Sequence, residues 1–348
     1  MFNHPSFDDH EEVAYFSDPK TGLRAIVALH STHLGPGGGG VRMWDYASED
    51  DALTDVLRLS QGMSYKNAMA GIKMGGGKGV ILGDPKTLKT PALMQSFGRA
   101  IEGLGGRYVT AEDVGMDEAD MAEVATQTRY VTGTDGAEAS AGDPSPYTAH
   151  GIFTAMQAAL QAREGSADFV GKSVAIQGVG SVGMHLAEEV AAAGARLVVS
   201  DVDDARVAFA KEKLGAQPVP IDSVLSADVD ILAPCALGAV FDDETIPTLQ
   251  CDIIVGGANN QLQRGEHGQA VMDRDILYVP DYIANAGGIM NCSLEYYGEF
   301  VSPQASMQWV EEIGNTTAIV LKEAARRNMP TNIVADEMAK AKIGRKTL

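Results

Sequence analysis

Cysteine is scarce in this chain: Cys235, Cys251 and Cys292 are an odd, scattered set among 348 residues. They offer neither a disulfide framework nor metal-ligand spacing, and they point to a reducing compartment. Positive charge is short as well. Against 47 Asp and Glu there are 27 Lys and Arg, a net charge of −20 with no basic block. That balance argues against nucleic acid and anionic membrane surfaces as partners. No window approaches about 18 uninterrupted apolar residues, so no segment reads as a membrane span. The opening MFNHPSFDDHEEV has no apolar stretch behind a basic one, so no secretory signal is read there. A soluble, cytoplasmic protein is the expectation. Internal repeats and low-complexity linkers are not apparent. The length exceeds what one hydrophobic core usually absorbs, and the apolar fraction of 45% is ordinary, so two globular domains are expected.

What is present centres on Val174–Asp201. It reads as a short apolar run (VAIQ), the turn GVGSVG, a helical pattern with Val182, Leu186 and Val190 on one face that stops at Gly194, and a second apolar run (RLVVS) ending at Asp201. A bare G-x-G-x-x-G would also fit a turn that merely packs. Here it stands between a strand and a helix, with an acid after the next strand, which is the context of a dinucleotide site. Gly178 permits the tight turn, Gly180 lets the backbone approach a pyrophosphate, and Gly183 lets the helix pack against the strand. The helix start offers free N–H groups to the phosphates, and Asp201 can accept hydrogen bonds from a ribose. Asp201, Asp203 and Asp204 would repel a 2′-phosphate, which favours NAD over NADP; Arg206 is the nearby opposing charge.

The remaining chain places further chemistry on loops and strand ends. The run LGPGGGGVRMW (34–44) is either a floppy loop or a place where something closely approaches the backbone, since each glycine costs chain entropy. Ser48, with Glu49, Asp50 and Asp51 behind it, caps a helix expected to reach about Ser64, after which SYKNA carries Lys66. In GIKMGGGKGVILGD a strand is expected at Val80–Leu82, with Lys78 between glycines. The spacing and the missing Ser/Thr exclude a P-loop, and a lysine in such a setting is normally solvated. A strand at Tyr108–Thr110 delivers AEDVG, placing Glu112 and Asp113 just past its end; two such acids also suit a helix-capping turn. The Gly-, Ser-, Asp- and Pro-rich segment Gly133–Pro146 is the best boundary candidate. Later apolar runs at Val229–Ala233, Ile253–Val255 and Ile276–Val279 lead into PCALGAV, GGANNQ and PDYIANAGG. Ligands bind outside the carboxyl ends of such strands, which puts Asn259, Asn260 and Asn285 in reach of one. His30 and His33 have no carboxylate ligand in view, and no metal site is read.

Taken together, LGPGGGGVRMW, GMSYKNAMAGIKMGGGKGV, GRYVTAEDVG, YVTG, GVGSVG, DILAPCALGAV, GGANNQL and PDYIANAGG cover most of the chain in order. They resemble the amino-acid dehydrogenases of the glutamate, leucine, phenylalanine and valine group, most of all the leucine enzymes. The resemblance implies an α/β protein of two domains with a cleft between them. The first, a substrate-binding and oligomerisation domain, would take 1–137 and a C-terminal helix at about 330–348; a Rossmann domain for NAD would take 138–329. It implies a homo-oligomer that oxidatively deaminates an L-amino acid to a 2-oxo acid and ammonium.

Carried over by motif, Lys66 would pair with the substrate carboxylate, helped by Asn285. Lys78 would be the general base, its pKa lowered by burial and by the Lys66 cation. Asp113 would shuttle a proton at the amino group, and the backbone of Gly39 would meet the amine. Gly38, Gly39, Met63, Ala111, Ile289 and Cys292 would line a side-chain pocket without charge, which speaks against glutamate. Gly38 replaces a larger aliphatic residue of the leucine enzymes, and Cys292 a valine, leaving room for an aromatic substrate as the alternative to a branched-chain one. The cofactor would lie against Gly178, Val179, Gly180, Ser181, Val182 and Gly183, against Asp201 and Val202, and against Cys235, Ala236, Asn259, Asn260 and Asn285. Two rivals of other classes are a non-catalytic NAD-binding regulatory protein and an enzyme of 2-hydroxy acids or folates. The lysine pair with Asp113 counts against the first; the lack of a His–acid constellation counts against the second.

Overall fold

The computed structural model describes residues 1–133, 143–236 and 238–345. It divides into two compact units, one from the described residues of Met1–Gly142, Cys292–Phe300 and Ala339–Leu348, the other from Asp143–Asn291 and Val301–Met338. The expected boundary at 137/138 lies outside the described residues.

Unit 1 is built on a six-stranded mixed sheet. In chain order its elements are β1 (Glu12–Asp18), β2 (Leu23–Ser31), β3 (Gly37–Gly38), β4 (Val41–Trp44), α1 (Glu49–Met69), β5 (Gly75–Leu82), α2 (Pro85–Leu88), α3 (Pro91–Gly103), β6 (Tyr108–Val109) and α4 (Glu118–Ala125). The strand order is β1-β2-β5-β3-β6, with β4 also on β5. β1, β2 and β5 are antiparallel; β3 and β4 run parallel to β5. One face packs α3 and α4 through Val27, Leu29, Met43, Phe97 and Val124, and the other packs α1 through Ile26, Val56, Leu57 and Val80. Ser48 caps α1 by accepting a hydrogen bond from the Asp51 amide. Thr90 does the same for α3, accepting from the Leu93 amide, with Pro91 at the first helical position.

Two local expectations change here. α1 runs to Met69, past the expected end near Ser64, because no Gly or Pro interrupts it between Ser64 and Gly71; Lys66 therefore sits in its last turn. The strand around Lys78 begins at Gly75, so the whole GGGKG run is central sheet rather than a loop.

Unit 2 carries α5 (Ser145–Glu164), β7 (Ser173–Gln177), α6 (Ser181–Ala192), β8 (Arg196–Ser200), α7 (Asp204–Leu214), β9 (Gln217–Pro218), β10 (Val229–Pro234), β11 (Cys251–Ile254), α8 (His267–Asp273), β12 (Leu277–Tyr278), α9 (Asp281–Ala284), α10 (Gly287–Tyr296), α11 (Pro303–Val310), α12 (Glu312–Arg327) and α13 (Thr331–Lys342). Its sheet is parallel throughout, in the order β12-β11-β10-β7-β8-β9. The first strand of the unit is thus central and the order reverses beside it, the doubly wound arrangement whose ligands bind where β7 and β10 end. The near-continuous apolar character of β7, β8 and β10 follows from burial on both faces.

The second half of α10 and the end of α13 are grouped with unit 1. For α13 the cause is visible in its anchors. Thr331 and Asn332 donate to the carbonyls of Tyr278 and Gly265 in unit 2. Arg345, just beyond it, donates to the carbonyls of Asp8 and His30 in unit 1.

Candidate functional site

In unit 1 the glycines of the 75–77 and 37–40 runs stand where neighbouring elements approach the backbone closely. A Cβ on Gly76 would overlap the Ser64 amide and hydroxyl of α1, and one on Gly77 would reach within 2.7 Å of the Tyr108 ring. A side chain at Gly76 would force α1 off β5, and one at Gly77 would displace the Tyr108 ring. The 37–40 run is explained in the same way: Gly37 and Gly38 form β3 between β5 and β6, and Gly40 lies against the carbonyls of Ala111 and Glu112. Close approach, not a floppy loop, is the reason for these glycines.

Lys78 is consequently buried in the middle of β5, not solvated. Its Nζ lies 2.6 Å from Asp113 Oδ2. Asp113 stands just past β6, held there by the parallel pairing of Val41 with Glu112 and by the Val41 amide donating to the Ala111 carbonyl. Burial pulls the Lys78 amine below its ordinary pKa against the opposing pull of Asp113, and the Arg42 guanidinium adds to the lowering. Arg42 is thus a cation beside Lys78 that the sequence reading, which looks to Lys66, does not name. Burial alone would raise the Asp113 carboxyl, but the charges of Lys78 and Arg42 hold it below the usual carboxylate range. The arrangement pairs an amine biased towards neutrality with a carboxylate biased towards the anion, which suits proton exchange near neutral pH.

Around this pair, the Gly39 carbonyl accepts from Tyr108 Oη at 2.7 Å, a contact that no spacing in the sequence indicates. Met63 packs against Gly39, whose Cβ would lie 3.0 Å from Met63 Cγ. Ala111 is half-buried, two residues before Asp113. Burial pushes the Cys292 thiol up to about 12, with Glu295, Glu112 and Lys66 the charges that act on it, so Cys292 lies in the neighbourhood of Lys66. The space expected at Gly38 is taken: a Cβ there would meet Met74 Sδ at 2.7 Å and Met74 Cβ at 3.4 Å. Met74 is buried and supplies bulk that residue 38 lacks. Sequence reasoning misses its role because nothing in the spacing of Met74 and Gly38 indicates contact. Ile289 is grouped with unit 2.

In unit 2 the predicted turn forms with the predicted geometry. Gly178 has φ of +90°, reached without strain only by glycine, and its amide donates to the Ser200 carbonyl at 2.7 Å. A Cβ on Gly183 would overlap the Gly178 carbonyl, whereas one on Gly180 would meet only Arg206 Nη1 at 3.4 Å. Gly180 is the N-cap of α6, and with no side chain capping that end, the amides of the first turn, Ser181 and Val182 among them, are left for an anion. Asp201 accepts from the Val179 amide at 2.8 Å and from the Asp203 amide at 2.9 Å, which fixes it at the turn. Arg206 pairs with Asp203 at 3.4 Å. Val202 is 87% exposed beside Asp201, an apolar surface at the place where an adenine ring would lie.

Cys235 and Ala236 follow β10 at the switch point. The Cys235 amide donates to the Gln177 carbonyl at 2.7 Å, and Ala236 lies against Gly178. The Cys235 thiol is pushed up to about 12 by burial, so it packs rather than reacts. Asn260 adopts φ of +53° and its amide donates to the Asp281 carboxylate. Asn285 is buried; its Nδ2 donates to Asn259 Oδ1 at 2.7 Å and to the Gly257 carbonyl at 3.1 Å, while its Oδ1 has no hydrogen-bond partner. Those two acceptors fix the amide orientation, so the atom left over is an acceptor, suited to an amide N–H. Free N–H groups, a carboxylate at ribose distance in sequence and an unsatisfied buried acceptor all fit a dinucleotide.

His30 has other partners than a metal. Its Nδ1 lies 2.7 Å from Ser64 Oγ, and its Nε2 lies 2.7 Å from Arg345 Nη1 and 3.1 Å from Asp8 Oδ2, a carboxylate that the sequence reading does not see beside it because 22 residues separate the two. Among the described residues no group of three His, Cys, Asp or Glu could hold a metal ion, and no helix is long and apolar enough to cross a membrane.

Comparison with known proteins gives one answer. Residues 10–130 match the Glu/Leu/Phe/Val dehydrogenase dimerisation domain, and residues 201–329 match the Glutamate/Leucine/Phenylalanine/Valine dehydrogenase domain. A leucine dehydrogenase from Geobacillus stearothermophilus is 45% identical over 343 residues, covering 99% of this chain and 93% of that enzyme. A valine dehydrogenase from Streptomyces virginiae is 41% identical, covering 98% and 95%. Among solved structures, the L-tryptophan dehydrogenase from Nostoc punctiforme superposes with a TM-score of 0.85 at 38% identity over 96% of each chain. A buried lysine–aspartate pair in one unit, a doubly wound dinucleotide fold in the other, and full-length relatives of one kind agree: the chain belongs to the glutamate/leucine/phenylalanine/valine dehydrogenase family and is an amino-acid dehydrogenase.

Proposed function

We propose that the enzyme carries out the reversible, NAD-dependent oxidative deamination of a branched-chain aliphatic L-amino acid of the leucine, valine or isoleucine type. The amino acid, NAD⁺ and water give the 2-oxo acid, ammonium, NADH and a proton. The observation that carries this reading is the buried Lys78 in contact with Asp113 at 2.6 Å.

Lys66, in the last turn of α1, pairs with the substrate carboxylate. Once the hydride has left the α-carbon, Lys78, neutral, takes a proton from the water that attacks that carbon, and Asp113 exchanges a proton with the substrate nitrogen. Gly39 offers backbone to the amine. NAD, when bound, would supply the hydride acceptor for the α-carbon. The turn 178–183 would hold its pyrophosphate, Asp201 its ribose and Asn285 its carboxamide; Asp201 and Asp203 disfavour a 2′-phosphate. In this arrangement both donors of Asn285 are spent, so the substrate carboxylate relies on Lys66.

The substrate class rests on two supports. The sequence relatives act, by name, on leucine and valine, and Met74 occupies the space that Gly38 leaves. An aromatic substrate is the second reading, favoured by the tryptophan-named relative. We assign the enzyme a homo-oligomeric state, in keeping with the dimerisation-domain match, and a cytoplasmic setting, in keeping with three free thiols. The deciding assay is formation of reduced nicotinamide, at alkaline pH, from leucine, valine, isoleucine, phenylalanine, tryptophan and glutamate with NAD or NADP. Leucine or valine with NAD should dominate. Dominant phenylalanine or tryptophan turnover would install the aromatic reading; silence across the panel would overturn both.

A further inference from the structure

Given the roles assigned to Lys78 and Asp113 in that reaction, on which this inference rests, we propose that Arg42 is a positioning residue for the pair. It is clamped between Asp113 and Asp55, so that a permanent cation holds the Asp113 carboxylate against Lys78.

Arg42 lies on β4, paired with Val80 of β5 and so adjacent to Lys78 in the sheet. Its Nε is 3.3 Å from Asp113 Oδ2. Its Nη1 donates to Asp55 Oδ2 of α1 at 2.9 Å, and the Tyr46 hydroxyl donates to the same oxygen at 2.6 Å. The planar guanidinium is thereby held at both ends, which a flexible ammonium could not reproduce. Arg42 Nε is buried without an aligned hydrogen-bond partner, and the buried Asp113 Oδ2 it faces is the oxygen that Lys78 Nζ approaches at 2.6 Å. They face each other as charges, with the Arg42 donor unspent. During turnover Lys78 gains and loses a proton; Arg42 cannot. It therefore keeps Asp113 anionic and in place whichever state Lys78 occupies.

The groups around Lys78 set the sign of the effect. Asp113, past β6, and Asp55, on α1, favour the charged amine, while Arg42, on β4, disfavours it. Tyr46 and the buried Tyr108 are pushed well above the ordinary phenol range by burial first and stay neutral. Lys66 also lies on α1, and Glu112 precedes Asp113. Removing the Arg42 charge raises the pH at which Lys78 becomes neutral; removing the Asp55 charge lowers it.

The test is the pH profile of kcat/KM for L-leucine with NAD, on the full enzyme and on Arg42→Gln, Arg42→Lys and Asp55→Asn. Arg42→Gln should move the acid limb up by about one pH unit and lower kcat roughly tenfold or more. Arg42→Lys should return the limb towards the parent while kcat stays low, because one ammonium cannot span both carboxylates. Asp55→Asn should move the limb down. NADH affinity, read by fluorescence, should be unchanged in all three and reports that the protein is folded. An Arg42→Gln enzyme that is slow with an unmoved limb would reduce Arg42 to a structural residue and overturn the proposal. Should that variant not fold, an Asp55→Asn limb that is unmoved or moves up overturns it equally. A Lys78→Ala enzyme with near-parent kcat would instead sink the underlying mechanism.

Discussion

Gly76 and Gly183 each stand where a side chain would collide with backbone, yet the sites around them differ in kind. At Gly76 the neighbour is α1, and the absent side chain lets a helix press directly onto a central strand. The gain is desolvation: Lys78, two residues on, is sealed in the sheet and its amine is driven towards neutrality. At Gly183 the neighbour is the Gly178 carbonyl, and the absent side chain lets α6 start close to the end of β7. The gain there is exposure: backbone N–H groups are left uncapped and accessible. Glycine thus serves burial of a charge in unit 1 and presentation of the backbone in unit 2. A glycine-rich motif is informative only once it is known which of the two its surroundings ask for.

The comparison can be broken most severely at the buried charge itself. Lys78→Ala should cut kcat by roughly 10²- to 10⁴-fold while NADH binding persists, since the cofactor turn belongs to the other unit; steady-state rates and fluorescence titration read the two separately. Next in size, Gly76→Ala should destabilise the fold by about 1–3 kcal/mol or more through overpacking against α1, measured as a lower urea midpoint with an unchanged slope. A midpoint within error of the parent would mean that α1 can shift and that the seal over Lys78 is not set there. Gly180→Ala sharpens the other side. Its Cβ meets only an arginine tip, so stability should stay within about 0.5 kcal/mol of the parent, but NADH should bind several-fold more weakly because the pyrophosphate needs that space. Unchanged affinity would deny the turn its assigned contact. The last effect concerns the pocket: Met74→Ala should raise the ratio of kcat/KM for phenylalanine over leucine by roughly 10-fold or more. A constant ratio would show that Met74 fills space without shaping specificity.

Much of unit 2 is legible from the chain alone because its information is local. Val174–Gln177, the GVGSVG turn, the helical face of Val182, Leu186 and Val190 and the acid Asp201 are neighbours along the chain, and each adopts what its own spacing dictates. The caps at Ser48 and Thr90 are legible for the same reason. Lys66, Lys78 and Asp113 stand out by their motifs, but their environments do not. GGGKG reads as a loop until α1 and β6 are known to lie against it, and the lysine as solvated until that packing buries it. The filling of Gly38 by Met74, the fork of Arg42 between Asp113 and Asp55, and the hold of Arg345 on His30 join residues about 13 to 315 positions apart. By itself the sequence determined most of the elements, the glycine-rich turn between β7 and α6, the chemical types available to the site and the family. Only the tertiary structure decided which charges are buried, which face one another and which spaces are filled, because dielectric, Coulombic and steric terms depend on distance in space rather than along the chain.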